Sequence, residues 1–307
     1  MTVNRVDLHI DTLSLLAERG GGLAPTRPDF QVDSARCAEG GMSLLCTAIF
    51  TEDGKPEPWD HCLKLLDSRD RLHESEGEPF QVVQHPDELS GLPQGVTGML
   101  TTIENGIALE GDVSRLEILH QRGVRILGLV WNGANELGQG CHADTGEGLS
   151  ELGKLMVREA AQLGWAIDVS HLNPNGVMEV CEMGVTLLAT HSNSRFVHEH
   201  VRNIDDDLLR AMADCGAVVG VNAFPPFLGG ESSIETFIEH VSHIESILGS
   251  DRVCLGTDLD GISRTMTGFR DYRDMDLLHQ ELEESRSGRG VGVLGDNFVR
   301  FWSSWAQ

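Results

Sequence analysis

The sequence predicts an α/β fold, and within that class a (β/α)8 barrel, from three observations. Eight short runs rich in Val, Ile and Leu recur along the 307-residue chain, stretches of helical character separate them, and residues of metal-ligand type follow several runs. Strands that alternate with helices form parallel sheets, and eight such units in about 300 residues suit a closed barrel. We expect one barrel domain over residues 1–307.

The eight strands are predicted from apolar runs of strand length. They are 5–11, 42–50, 97–104, 124–131, 166–171, 186–192, 217–223 and 252–258. An open, doubly wound sheet is the alternative architecture. Such a sheet usually has a glycine-rich phosphate loop after its first strand, and LHIDTLSLLAERGGG does not resemble one.

Helices are predicted between the strands, with capping residues at several of their ends. They cover 59–74, 111–122, 148–163, 204–214 and 232–248. Asp112 and Asp205 are candidate N-caps. The predicted ends are glycines, namely Gly123, Gly164, Gly216 and Gly249.

Composition and charge exclude several classes of function. Lys plus Arg number 23 against 48 Asp plus Glu, and the net charge of −25 repels nucleic acid and anionic membrane surfaces. No apolar run has the length of a membrane span and no secretion signal precedes the first strand, so we expect a cytoplasmic protein. The seven cysteines form no C-x-x-C pair, which favours reduced thiols over a disulfide framework or thiolate zinc site.

The first predicted strand, in VDLHIDT, contains a histidine and an aspartate at alternate positions. Because side chains alternate along an extended chain, we expect His9 and Asp11 on one face and Leu8 and Ile10 on the other. On its own, this pattern also fits an edge strand with a polar face in water.

Further residues of metal-ligand type follow four other strands. They are Glu104, His171, His191 and Asp258. The carboxyl ends of barrel strands meet at one mouth, which is where the active sites of such barrels lie. The sequence therefore predicts a metal site at this mouth.

The ligand types narrow the choice of metal and favour two ions. Imidazole and carboxylate without thiolate suit Zn, Mn, Fe or Co better than Ca or Mg. Five ligands are too many for one tetrahedral catalytic zinc with an open position. We expect His9 and Asp11 to hold one ion and His171 and His191 the other.

The two ions need a bridging ligand. A carboxylated lysine would have to end a strand, and none of Lys55, Lys64 and Lys154 does so. Glu104 in TTIENG remains as the candidate bridging carboxylate.

The ordered motifs resemble those of the membrane dipeptidase family, peptidase family M19, within the amidohydrolase-like TIM-type barrels. The matching segments are HID at 9–11, IENG at 103–106, DVSH at 168–171, THSNS at 190–194, VRNI at 201–204, GTDLDG at 256–261 and LGDNFVR at 294–300. The resemblance implies a binuclear zinc dipeptidase that tolerates a D-residue on the C-terminal side. It implies the same five ligands, bridged by Glu104, with Asp258 as the proton-handling carboxylate and Arg202 on the substrate carboxylate.

The chain departs from well-known animal members at two positions of the substrate pocket. Trp131 stands where those members carry a substrate-contacting histidine, and Phe224 stands where a tyrosine is expected. We expect Trp131 and Phe224 as pocket walls and Asn132 as a polar contact. The chain also lacks the secretion signal and lipid-anchor tail of the animal enzymes, which favours a soluble bacterial-type member.

The expected partners are a dipeptide substrate and a second copy of the chain in a homodimer, with neither nucleic acid nor membrane. Another hydrolase on the same barrel, such as an N-acyl amino acid amidase, a lactonase or a phosphoesterase, is the first alternative, because fold does not fix the reaction. A non-catalytic metal-binding or scaffold protein is the second. It is disfavoured because all five ligands and Asp258 are present.

Overall fold

A computed structural model describes residues 4–143, 146–286 and 292–305 of the chain. All eight predicted strands are present, and most are shorter than predicted. The barrel strands are β1 (Val6–Ile10), β2 (Leu44–Phe50), β3 (Thr97–Glu104), β4 (Val124–Gly128), β5 (Ala166–Asp168), β6 (Leu187–Ala189), β7 (Val218–Val221) and β8 (Val253–Leu255).

The barrel strands are parallel and neighbour one another in sequence order from β1 to β8. The first and last strands meet at the carboxyl rim, where Asp258 N donates to His9 O at 3.0 Å and Asp11 N donates to Leu259 O at 2.9 Å. The structure is thus a (β/α)8 TIM-type barrel, as predicted. The short strand Phe80–Val82 pairs with β3 outside the closed ring.

A bulge in β1 changes which faces its residues occupy. The register with β2 shifts between Asp7 and Ile10. Leu8 packs with the cluster inside the barrel, whereas Ile10 packs with the cluster between strands and helices. The expectation that Leu8 and Ile10 share one face was therefore wrong, because the bulge interrupts the simple alternation of an extended strand.

The barrel interior is apolar below the rim and closed at its amino end. Its strand residues include Leu44, Leu100 and Leu188, and Phe298 and Trp302 of the last helix pack against the same cluster. The side chains inside the barrel become polar only at the carboxyl rim. The fold therefore leaves one open end for chemistry.

Helices surround the barrel, and the five predicted helices are all found. The helices are α1 (Thr12–Arg19), α2 (Ser34–Glu39), α3 (Pro58–Glu74), α4 (Pro86–Leu89), α5 (Arg115–Gln121), α6 (Glu151–Gln162), α7 (Pro174–Glu182), α8 (Asp206–Asp214), α9 (Pro225–Leu228), α10 (Ile234–Leu248), α11 (Met275–Arg286) and α12 (Asn297–Trp305). Asp205 caps α8 by accepting from Leu208 N. Ser114, not Asp112, is the N-cap of α5. The Asp112 side chain accepts from Ser114 N and Oγ, before the helix begins.

Within the described ranges, no helix combines the length and the hydropathy that crossing a bilayer requires. The seven cysteines are free thiols.

Candidate metal centre

The five residues predicted as metal ligands lie together at the carboxyl rim of the barrel. His9 extends from β1, Glu104 ends β3, and the others follow β1, β5 and β6. All five are buried, with at most 8% of any of these residues exposed. They form two groups of potential ligand atoms, namely His9 with Asp11 and Glu104, and His171 with His191 and Glu104.

Glu104 belongs to both groups and offers each a different oxygen. Its Oε2 lies 3.2 Å from His9 Nε2, which in turn lies 3.6 Å from Asp11 Oδ2. Its Oε1 lies 3.0 Å from His171 Nε2 and 4.0 Å from His191 Nε2. The carboxylate therefore stands between the two groups.

Hydrogen bonds behind the imidazoles turn the Nε2 atoms toward Glu104. His171 Nδ1 lies 3.2 Å from Asn132 Oδ1, and His191 Nδ1 lies 2.8 Å from Thr190 Oγ1. Because Asn132 Oδ1 accepts only, His171 carries its proton on Nδ1 and a lone pair on Nε2. A second hydrogen bond of this kind is usual behind a metal-ligating histidine.

The donor atoms fit divalent cations. His171 Nε2 and His191 Nε2 lie only 2.9 Å apart, a separation at which two lone pairs repel unless a cation or proton lies between them. Asp11 Oδ1 is buried without a hydrogen-bond partner, so it is an acceptor that a cation would satisfy. Imidazole nitrogen with carboxylate oxygen is the donor set of zinc and similar ions.

The pKa values of the imidazoles in the site are shifted in opposite directions. Burial lowers the pKa of His171 and His191 well below the ordinary value, and the positive charge of Arg202 acts in the same direction. At His9, burial is opposed by the carboxylates of Glu104 and Asp11, which hold its pKa well above the ordinary value. The Glu104–Asp11 side therefore favours positive charge.

Asp258 lies beside this centre, next to Asp11. Backbone bonding to His9 brings it to the rim, and its φ of 66° places it in the left-handed region. Asn222 Nδ2 donates to its Oδ2 at 3.0 Å. Burial, with the negative charge of Asp11, raises the pKa of Asp258 to about 8.

A cavity of about 640 Å³ opens above the centre. Its lining includes Glu104, His171, His191 and Asp258, together with all four predicted substrate-binding residues, Trp131, Asn132, Arg202 and Phe224. The mouth predicted from strand ends is therefore a cavity with charged groups at its base.

Arg202 is almost fully buried at 4% exposure. One terminal nitrogen donates to the carbonyl of Ser170, and Nη2 lies 3.2 Å from the His191 carbonyl oxygen and 3.3 Å from His171 Nε2. Its Nε is buried without a hydrogen-bond partner. The guanidinium thus lies beside His171 Nε2 at the edge of the ligand cluster and retains one unused donor.

The sequence of this chain matches a known protein family over nearly its whole length. The sequence model of the membrane dipeptidases, peptidase family M19, matches residues 2–307. The chain belongs to peptidase family M19. Members of this family are metal-dependent dipeptidases, which agrees with the ligand clusters at the rim.

Curated relatives match parts of this M19 chain. An uncharacterized protein of the pqqA 5′ region of Klebsiella pneumoniae is 34% identical over 181 residues, covering 55% of this chain and 67% of that protein. An uncharacterized dipeptidase of Schizosaccharomyces pombe is 31% identical over 215 residues, covering 66% of this chain and 52% of that protein. The match thus spans about half of the yeast protein.

Solved structures share the fold of this M19 chain. A metallopeptidase of Rhodobacter sphaeroides bound to a phosphinate mimic of the dipeptide L-Ala-D-Ala superposes with a TM-score of 0.90, at 23% identity and covering 99% of this chain and 100% of that one. An amidohydrolase of Pseudomonas aeruginosa gives a TM-score of 0.85, again at 23% identity, covering 99% and 97%. These similarities concern the fold.

The structure of the M19 chain also reveals cavity residues that the sequence did not indicate. Phe50 packs edge-on against Trp131 with ring centroids 5.2 Å apart, and Phe227 does the same with Phe224 at 5.1 Å. Phe50 is the last residue of β2, so its strand-end position was an available signal. Phe227 lies inside α9, a helix that was not predicted.

Proposed function

We propose that this metal-dependent dipeptidase holds two divalent ions, with zinc as the metal, and hydrolyses dipeptides, including those with a D-residue on the C-terminal side. The observation that carries the proposal is the position of Glu104. Its two oxygens face two separate ligand groups, 3.2 Å from His9 Nε2 and 3.0 Å from His171 Nε2. A bridging carboxylate of this kind is what a two-metal site requires.

In this proposal, each ion has its own pair of ligands. His9 and Asp11 would hold one ion with Oε2 of Glu104, and His171 and His191 would hold the other with Oε1. The chemistry that two such ions supply when bound is polarisation of a carbonyl oxygen and activation of a water molecule near neutral pH.

Asp258 would move the proton that peptide hydrolysis requires. Its raised pKa, about 8, lies near neutral pH, so both the ionised form that accepts a proton and the protonated form that donates one are accessible. Asn222 Nδ2 donates to Oδ2, and Asp258 lines the cavity together with Asp11. The carboxyl would accept a proton during attack and give it to the leaving amine.

Arg202 would bind the free carboxylate of the dipeptide. The support is its place in the cavity lining and its buried Nε, which has no partner within the described chain. A buried guanidinium gains most from an anionic partner. In the related Rhodobacter sphaeroides metallopeptidase the bound ligand is a phosphinate mimic of L-Ala-D-Ala, which supports a substrate of this size with a D-residue.

The aromatic residues would form the side walls of the substrate site. Trp131 and Phe224 line the cavity from the loops after β4 and β7, and each is braced by a second aromatic ring. The volume of about 640 Å³ suits a small ligand. Asn132 would contact the substrate only through its amide nitrogen, because its Oδ1 contacts His171 Nδ1.

The remaining parts of the proposal concern the whole chain. Residues 1–307 would act as one barrel domain, in the cytoplasm, as a homodimer. The net charge of −25 supports a small-molecule substrate over nucleic acid.

A panel of dipeptides tests the proposed substrate class. Purified protein loaded with Zn or Mn is offered L,L, L,D and D,L dipeptides, an N-acyl amino acid and a lactone. We expect hydrolysis of L,L or L,D dipeptides, abolished by a chelator and restored by the metal. Turnover restricted to the acyl amino acid or lactone would replace the proposal with the alternative hydrolase.

A pair of substrates tests the role of Arg202. In Arg202→Gln we expect dipeptide binding to weaken by about 2–4 kcal/mol, because a desolvated carboxylate loses its partner. A dipeptide amide, which lacks that carboxylate, is the matched control and should bind the wild type and the variant with similar, weak affinity. An equal loss for the two substrates would contradict a carboxylate contact.

A further inference from the structure

The hydroxyl of Thr190 lies between the two halves of the metal centre. Thr190 is fully buried, and its Oγ1 lies 3.1 Å from His9 Nδ1 and 2.8 Å from His191 Nδ1. These imidazoles belong to different proposed metal positions. One side chain therefore contacts a ligand of each ion.

The third partner of this hydroxyl determines where its proton goes. Thr190 Oγ1 donates to Asp168 Oδ2 at 2.6 Å. Ser170 Oγ also lies 3.2 Å from Thr190 Oγ1, but it donates its own proton to Asp168 Oδ1. A hydroxyl has one proton and two lone pairs, so a Thr190 that donates to Asp168 can only accept from the two imidazoles. The neutral forms of His9 and His191 must then carry the proton on Nδ1, which leaves a lone pair on each Nε2 for a cation.

Asp168 is itself held firmly in this role. Its Oδ1 accepts from Ser170 Oγ at 2.6 Å and from the backbone N–H groups of Ser170 and Thr190 at 3.0 Å. With Thr190 Oγ1 on Oδ2 and these three donors on Oδ1, both oxygens of Asp168 act as acceptors in this network.

Asp168 has a second possible role, because it lies close enough to His9 and His191 to form a metal-binding group with them. Thr190 Oγ1 already lies within hydrogen-bond distance of all three side chains. The hydroxyl occupies the space that a third ion would need. Asp168 therefore acts through Thr190.

The barrel interior fixes the backbone of Thr190 as well. A Cβ atom on Gly220 would lie 2.1 Å from Thr190 O, and one on Gly256 would lie 1.9 Å from it. Only glycine fits at these two neighbouring strand positions. The carbonyl of Thr190 thus packs into the barrel and leaves its side chain at the rim.

We propose that Thr190, supported by Asp168, is a positioning residue that sets the tautomer of both His9 and His191 and thereby couples the affinities of the two metal positions. The inference rests on the proposed function, because it requires two ions. Asn132 provides the contrast, since its Oδ1 contacts His171 alone among the three imidazoles.

Metal titration of matched variants tests this coupling. Zn affinity is measured by competition with a chromophoric chelator, and Co(II) absorption reports the coordination at each position. In Thr190→Val we expect both affinities to fall by about 10- to 100-fold. In Asn132→Leu we expect Zn affinity to fall only at the position held by His171 and His191. Thr190→Ser keeps the hydroxyl and should retain wild-type binding.

Thr47→Val is the control for loss of a buried threonine hydroxyl. Thr47 is a buried barrel-strand residue whose Oγ1 has no hydrogen-bond partner, so its variant should bind both ions normally. Thermal unfolding of the metal-free variants shows whether each is folded. Wild-type affinity at either position in Thr190→Val, or no recovery in Thr190→Ser, would refute the coupling. Fewer than two ions in the wild type would instead refute the binuclear proposal.

Discussion

Asp258 shows how a single residue acquires a distinct role beside similar carboxylates. Glu104 and Asp11 lie against His9 Nε2, whereas Asp258 accepts from the neutral amide of Asn222. Burial, with the negative charge of Asp11, raises the pKa of Asp258 to about 8. Asp258 therefore differs from Glu104 and Asp11 in its contact with Asn222 and in lying off His9 Nε2.

Asp258→Asn tests this role. Because an amide cannot carry the proton, we expect kcat to fall by on the order of 10²- to 10⁴-fold. The Zn content should stay at the wild-type value, since Asn is uncharged and similar in shape. Steady-state kinetics and metal analysis of the same sample measure both. Loss of metal together with activity would make Asp258 a ligand instead.

At the residue scale, the sequence predicted the rim residues but not those behind them. His9, Glu104 and His171 follow apolar strands, and a ligand-type residue at a strand end is a strong local signal. Thr190 and Asp168 gave a weaker one, since Thr is common in strands and Asp168 had no recognisable partner. Their roles depend on contacts with His9, which is far away in the chain.

At the element scale, the loops after the strands position the site through buried asparagines. Asn105 donates to Thr51 O at 2.8 Å and to Asp53 at 2.9 Å, which braces the loop beyond Glu104. Asn203 donates at 2.8 Å to the carbonyls of His198 and Phe227, which holds the segment that carries Arg202. Motif residues outside the cavity lining thus fix the loops that carry residues of the proposed site.

The loop after β8 has a glycine whose replacement should damage the centre directly. A Cβ on Gly261 would lie 2.1 Å from Asp11 Oδ2 and 2.5 Å from Asp258 Oδ1. We expect Gly261→Ala to displace both carboxylates and lose metal affinity and most activity.

The matched control for this change is Gly91→Ala. There, the new Cβ would lie 3.5 Å from Glu88 O, an ordinary contact. Zn titration and kcat of this control should equal those of the wild type. Normal metal binding in Gly261→Ala would contradict the close packing of this loop against the centre.

His240 on α10 makes the stability of the rim depend on pH. It is buried, accepts from Ser194 N and contacts Leu228 O, and burial lowers its pKa from 6.5 to about 4. As the pH falls, His240 is therefore protonated in the unfolded chain before it is protonated in the folded one. The stabilisation that neutral His240 gives above pH 6.5 is lost as the pH falls toward 4.

The contribution amounts to up to about 3 kcal/mol, because each pKa unit is worth about 1.4 kcal/mol. Urea unfolding of the wild type and His240→Gln at several pH values between 7 and 4 measures it. The variant should lose that part of the pH dependence. The exposed His73→Gln is the control and should keep it. Identical pH profiles for wild type and His240→Gln would exclude the assignment.

Strand order was predictable from the sequence, but several element ends were not. The predicted strand 124–131 stops at Gly128. The next carbonyl, Leu129 O, accepts from Gly106 N, beyond the end of β3, and from the side chain of Asn135. Side-chain competition of this kind has no simple sequence pattern. By contrast, α7 was missed although Asn173 and Pro174 form a readable N-cap and first turn.

At the scale of the whole molecule, the parallel barrel explains why distant residues share one site. Eight parallel strands place all their carboxyl ends on one rim, so His9 and His191 become neighbours across 182 positions of sequence, with ring centroids 3.8 Å apart. This convergence was predictable once the alternation of strands and helices was recognised. Which rim atoms make contact required the structure.

We propose that two cations share Glu104. Anomalous diffraction at the zinc edge, from crystals grown with Zn, tests this arrangement. We expect two peaks on either side of Glu104, about 3.5–4 Å apart, one beside His9 and Asp11 and one beside His171 and His191. A single peak, or peaks that do not contact Glu104, would contradict the claim.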